Sequence, residues 1–196
     1  GSGGGIVNPQ FAQAIKDNDT SDNQGSPRFV MNNFYWQPPF KPQREEALLA
    51  SMLSSHIGDQ DYPGDMTPSE NWPNVAPGQW GIANALSPKY AKSADHLLQL
   101  ENKPPVLWVR GAKDMIVSDM SMFEMGGLGA AGALPNYPGA EVFPPQPMVS
   151  QTRALLEKYK AAGGEYEEIV FEECAHTPYL EKFDEFNTAF HRWITR

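Results

Sequence analysis

Cysteine is nearly missing from this chain. Cys174 stands alone among 196 residues, which excludes an internal disulfide. Positive charge is scarce as well: 15 Lys and Arg face 24 Asp and Glu, for a net charge of −9. A surface of that sign suits neither nucleic acid nor an anionic membrane, whose phosphates need a basic face. The acidic residues are spread along the chain, as solubility favours, rather than gathered in a tail. No apolar run approaches the ~20 residues of a membrane span, and no signal peptide is visible. The opening Gly1-Ser2-Gly3-Gly4-Gly5, without a methionine, reads as a cloning scar, a linker or an end left by processing, and it leaves localisation open.

Breakers, by contrast, are abundant. Eighteen prolines and 17 glycines predict long, loop-rich stretches. Hydrophobic residues at 40% and aromatics at 11% are nevertheless globular values, and the length suffices for one domain with a core. A short helix is expected over Asn8–Lys16, with Phe11, Ala14 and Ile15 on one face, followed by an exposed loop from Asp17 to Ser26. Phe29–Phe40 is dense in aromatics and closes on Pro38-Pro39. Gln43–Ser55 has the composition and spacing of a helix. Residues 57–80 read as irregular chain, and Gly81–Leu86 as a short helix stopped at Ser87-Pro88.

From Lys103 the texture changes. Val106-Leu107-Trp108-Val109-Arg110 is a short apolar run stopped by Gly111, the pattern of a buried strand. Met148–Ala162 is a helix ended by Gly163-Gly164. Glu165–Phe171 alternates as a second strand, and Glu181–Ile194 is an amphipathic helix with Phe183, Phe186, Phe190 and Trp193 on one side. Strand, helix, strand, helix is a βαβα unit, so the two strands should be parallel. Two parallel strands make no stable sheet alone, and the first hundred residues offer no further apolar strands. The sheet is therefore expected to be completed by another polypeptide.

Each strand is followed at once by polar residues that carry chemistry: Arg110-Gly111-Ala112-Lys113-Asp114-Met115-Ile116-Val117 after the first, Cys174-Ala175-His176-Thr177-Pro178-Tyr179-Leu180-Glu181 after the second. In open parallel sheets ligands bind beyond the carboxyl ends of the strands, so Asp114 and His176 should meet. A carboxylate bonded to one imidazole nitrogen fixes the tautomer that leaves the other free to take a proton.

These two segments resemble the seventh strand with its acid loop, and the eighth strand with its histidine loop and last helix, of the α/β-hydrolase family. The resemblance covers about residues 103–195. It implies an α/β fold, with residues 103–196 the C-terminal part of the hydrolase core and 1–102 a mainly helical, loop-rich cap. It implies Asp114 as the triad acid and His176 as the base. Tyr35, Trp36, Trp72 and Met115 are the expected substrate-binding residues for a small apolar substrate, with no cofactor and no metal. The 62 residues from acid to histidine are about twice the spacing expected of compact members, and the excess, 118–147, reads as an added loop near the pocket mouth. The family's Gly-x-Ser-x-Gly nucleophile elbow is absent; Gly1–Gly5 imitates it only superficially, with no strand before it. The nucleophile is thus expected on a companion N-terminal polypeptide, the simplest source being one precursor cut before Gly1.

The activity so implied is cleavage of an ester, lactone or amide. An aspartate nucleophile, as in dehalogenases and epoxide hydrolases, would use the same acid and histidine. A hydrolase-derived binding or scaffolding subunit would keep both without acting. Asp119 is the reserve acid. His56, His96 and His191 read as solvated, Ser87 and Ser118 as loop serines, and Cys174 as buried packing. Asp59, Asp61 and Asp65 lack the spacing and terminal glutamate of a calcium loop.

Overall fold

In the computed structural model the described residues are 7–91 and 94–196, so the Gly1–Gly5 opening lies outside them. The chain mixes helix with short strands and divides into two compact units. One holds the described residues of 1–31, 44–92 and Met122–Gln146. The other holds those of Asn32–Gln43, 93–121 and Pro147–Arg196. Asn32–Gln43 belongs with the strand-bearing unit, and Met122–Gln146 with the other.

In the first unit, helix α1 (Pro9–Lys16) starts where Asn8 accepts the Gln10 amide at 2.9 Å and Pro9 takes the first helical position. Its buried side is formed by Ala12 and Ile15, one position round from the expected stripe. Ser26 caps α2 (Pro27–Val30) by accepting the Phe29 amide. Arg28 then bonds Glu45 and Glu46 at the start of α3 (Glu45–Leu53), whose Leu49 is buried. The stretch 57–80, read as irregular, contains two small sheets. Strands β1 (Ile57–Gly58) and β2 (Tyr62–Pro63) are parallel, and β3 (Met66–Pro68) and β4 (Val75–Pro77) antiparallel. At two or three residues each, they are too short for periodicity to register.

The loop beyond β4 is held by polar groups rather than by apolar packing. Asp65 accepts the Gln79 and Trp80 amides at 2.8 and 2.7 Å. Buried Asn84, in α4 (Ile82–Ala85), donates to the carbonyls of Asp65 and Trp80, both at 2.6 Å. Asp65 is thus a structural acceptor. Trp80 is exposed. Helix α5 (Met125–Ala130) is capped by the Glu124 carboxylate on the Gly126 and Gly127 amides.

The second unit is built on β5 (Val106–Gly111) and β6 (Tyr166–Phe171), parallel from Val106↔Tyr166 to Gly111↔Phe171, and connected through α6 (Met148–Ala161). The alternation of a strand separates two faces. On one, Glu168 bonds Arg110 and α6 residue Arg153, both at 2.7 Å, and Trp108 has both guanidinium groups 5.6 Å from its ring. Buried Tyr159 of α6 donates its hydroxyl to the Pro104 carbonyl at 2.5 Å, locking the helix to the strand entry. On the other face Glu167 meets Arg192 of α8 (Phe183–Ile194). That helix follows a single turn, α7 (Pro178–Glu181). No residue of α8 is buried, and Phe183 and Ile194 are 63% and 55% exposed. Among the described residues no strand pairs with the outer edge of β5 or of β6.

Candidate active site

The parallel register ends with Gly111 opposite Phe171, and both chains turn there. Ala112 donates to the Phe171 carbonyl at 3.0 Å and Lys113 to the Cys174 carbonyl at 2.9 Å, so the two loops are bonded before either presents a side chain. The next residue on one loop is Asp114; two beyond Cys174 on the other is His176. The Asp114 Oδ2 and the His176 Nδ1 are 2.9 Å apart. Sequence adjacency to two strand ends has become a hydrogen bond across 62 residues.

The carboxylate is aimed from behind. Its Oδ1 accepts the amides of Ile116 at 2.7 Å and Val117 at 3.0 Å, which leaves Oδ2 for the imidazole. The Asp114 side chain is 7% exposed and that of His176 35% exposed. A carboxylate oxygen only accepts, so in the neutral ring Nδ1 carries the proton and Nε2 is a free acceptor. Among the described residues no hydroxyl or thiol is hydrogen-bonded to His176.

Tyr35 sits beside this pair, its ring centroid 6.1 Å from that of His176. Burial, with Tyr179 nearby, holds the Tyr35 phenol above its usual range. Met115 follows Asp114 and is 42% exposed, and Val117 and Met120 further along the same loop are exposed as well. Trp36 is 1% exposed and its indole donates to Asn32 at 3.1 Å, which leaves almost no surface for a ligand. Trp72 belongs to the other unit, where it packs edge-on against Tyr137 and Phe143 and donates to the Pro135 carbonyl. Four expected substrate-binding residues thus fall into three situations: Tyr35 and Met115 next to the Asp–His pair, Trp36 buried, and Trp72 in a different cluster.

No protein-family model, curated protein or solved structure matches this chain.

The other candidates have structural work. Asp119 accepts the amide and hydroxyl of Ser150, capping α6, whose own cap residue Pro147 has no side-chain acceptor. Those bonds hold its carboxyl below the usual range. Cys174 is fully buried, and burial pushes its thiol up to about 11, so it is neither thiolate nor accessible near neutrality. Ser87 is buried, and Ser87 Oγ has no hydrogen-bond partner. His56, His96 and His191 are exposed. Among the described residues no three His, Cys, Asp or Glu side chains are grouped to hold a metal ion, and no helix is long and apolar enough to cross a membrane.

Two residues escaped the sequence reading. Buried Thr177 donates its hydroxyl to the Tyr35 carbonyl at 2.7 Å. Glu181 accepts the Ala175 amide at 2.9 Å on one oxygen and the Gln37 amide at 2.7 Å on the other. Nothing local announces the bonds to Tyr35 and Gln37, which lie 142 and 144 residues away.

Proposed function

We propose that this chain supplies the acid and base of an α/β-hydrolase that cleaves an ester, lactone or amide, with the nucleophile on a companion polypeptide. The observation that carries the reading is the Asp114–His176 pair: a desolvated, doubly anchored carboxylate on Nδ1, and a half-exposed imidazole whose Nε2 has no hydrogen-bond partner among the described residues. In that arrangement Nε2 takes the proton of an attacking hydroxyl, Asp114 stabilises the imidazolium, and the same proton passes to the leaving group. The carboxylate stabilises the imidazolium formed in this step, and so lowers the barrier more than it tightens ground-state binding. Tyr35 beside His176 and exposed Met115 next to Asp114 are the apolar groups available to an acyl or alcohol group.

Support for the companion is physical. The amides of Val106 at the start of β5 and Ala112 just past its end donate to the carbonyls of Glu165 and Phe171 on the β6 side, so by alternation those of Leu107 and Val109 point to the opposite edge, where no strand lies among the described residues. An unpaired apolar edge and a helix with its aromatic face bare both invite cover. The test is His176→Ala in the complete assembly, assayed on an activated ester. Turnover should fall on the order of 10⁶-fold with the fold intact, since the residue is in a loop and its removal opens no core cavity. Near-normal turnover by a folded variant would refute the assignment.

A further inference from the structure

Among the described residues the His176 side chain has a single hydrogen bond, to Asp114. Its orientation therefore depends on the backbone of residues 175–177 being held still. Ala175 and Thr177 are each 4% exposed, so their polar groups need partners inside the protein. The partner of the Ala175 amide is the Glu181 carboxylate, and that carboxylate also reaches the Gln37 amide. In Gln37-Pro38-Pro39 only Gln37 has an N–H to give, and Glu181 takes it. Thr177 adds a second link by donating to the Tyr35 carbonyl, on the other side of buried Trp36. Histidine loop and Tyr35–Gln37 segment are thus joined by two side chains that flank Trp36.

We infer that Glu181, with Thr177, is a positioning residue for His176: one carboxylate carries the amide before the histidine and the amide after Trp36, so the imidazole and the Tyr35 ring beside it are held as one body. Its consequence for turnover rests on the hydrolase reading; the positioning itself does not.

Glu181→Gln, in the chain recovered as a discrete species with whatever completes its sheet, separates positioning from simple stapling. The glutamine is isosteric, but its nitrogen donates and cannot accept, so one of the two amides is left facing another donor. Hydrogen exchange of the Ala175 and Gln37 amides should accelerate at least about tenfold, while the Val106 and Ala112 amides, which bond to the β6 side, stay protected. The downfield Nδ1–H resonance of His176 should weaken as its bond to Asp114 loosens. A sharp, unchanged Nδ1–H signal beside faster amide exchange would reduce Glu181 to a loop staple, and unchanged amides would remove even that. Should Glu181→Gln cost the Val106 and Ala112 protection as well, Thr177→Val takes its place. It should speed Gln37 exchange and weaken the Nδ1–H signal, with Thr177→Ser restoring both; no change in either would overturn the inference. None of these readouts needs turnover, so an inactive assembly would sink the hydrolase reading and leave this one decided on its own evidence.

Discussion

Gly111 and Ala175 approach so closely that a Cβ on the glycine would sit 2.0 Å from the Ala175 carbonyl oxygen, and 2.2 Å from that of Cys174. The end of β5 and the histidine loop can therefore touch only where β5 ends in a residue without a side chain. This contact sets the distance across which Asp114 reaches His176. Gly111→Ala should force the loops apart, with a loss of about 1–3 kcal/mol, the usual cost of overpacking against atoms that cannot yield. Urea unfolding measures it; wild-type stability would mean that the loops part without strain.

Asp114→Asn probes the tautomer. The asparagine oxygen can keep the Ile116 and Val117 amides, which turns its NH₂ toward Nδ1. Two donors cannot face each other, so the proton moves to Nε2 and the base is lost. Turnover by the complete assembly should fall on the order of 10⁴-fold. Nitrogen chemical shifts of the His176 ring should report the change from Nδ1–H to Nε2–H. An unchanged tautomer would show that Asp114 does not orient the ring.

Glu168 offers a test through pH. Arg153 first, and Arg110 with it, hold this carboxyl below its ordinary range. A folded-state value below the unfolded one means that the unfolded chain takes up the proton first. The contribution to stability is then complete above the ordinary glutamate value of about 4.3 and is lost as pH falls through the lower folded value. Glu168→Gln should cost about 1–2 kcal/mol at neutral pH, chiefly by leaving Arg110 unpaired, and should flatten the fall in stability below about pH 4.5. Parallel pH profiles of variant and wild type would contradict the ion-pair account.

The open edge of β5 makes a prediction about association. The isolated chain should self-associate or aggregate, and should be recovered as a discrete species when bound to a polypeptide that supplies neighbouring strands. An interface completing a sheet of this kind buries on the order of 2,000 Å² or more. Light scattering with chemical denaturation decides it. A stable monomer that unfolds cooperatively without a partner would show that the chain completes its own core.

Local signals account for what could be read without coordinates. Asn8-Pro9 starts α1, Gly163 past the end of α6 has φ +90°, and the apolar run at Val106 ends on Gly111, because caps, left-handed stops and strand patterns are properties of neighbouring residues. The order strand, helix, strand set the two β-strands parallel and put Asp114 and His176 at the same end. Residues 57–80 were opaque because strands of two or three residues carry no period, and their loops are held by Asp65 and Asn84, polar residues that read as surface. Assignment of Asn32–Gln43 and Met122–Gln146 to opposite units was equally hidden, since composition says what a segment buries and not against which partner. Only the tertiary structure decided that Asp119 is spent on capping α6, that Trp36 is turned inward and buried, and that Glu181 joins Ala175 to Gln37. Each of these depends on a partner more than thirty residues away or on the direction of one side chain, and a local pattern encodes neither.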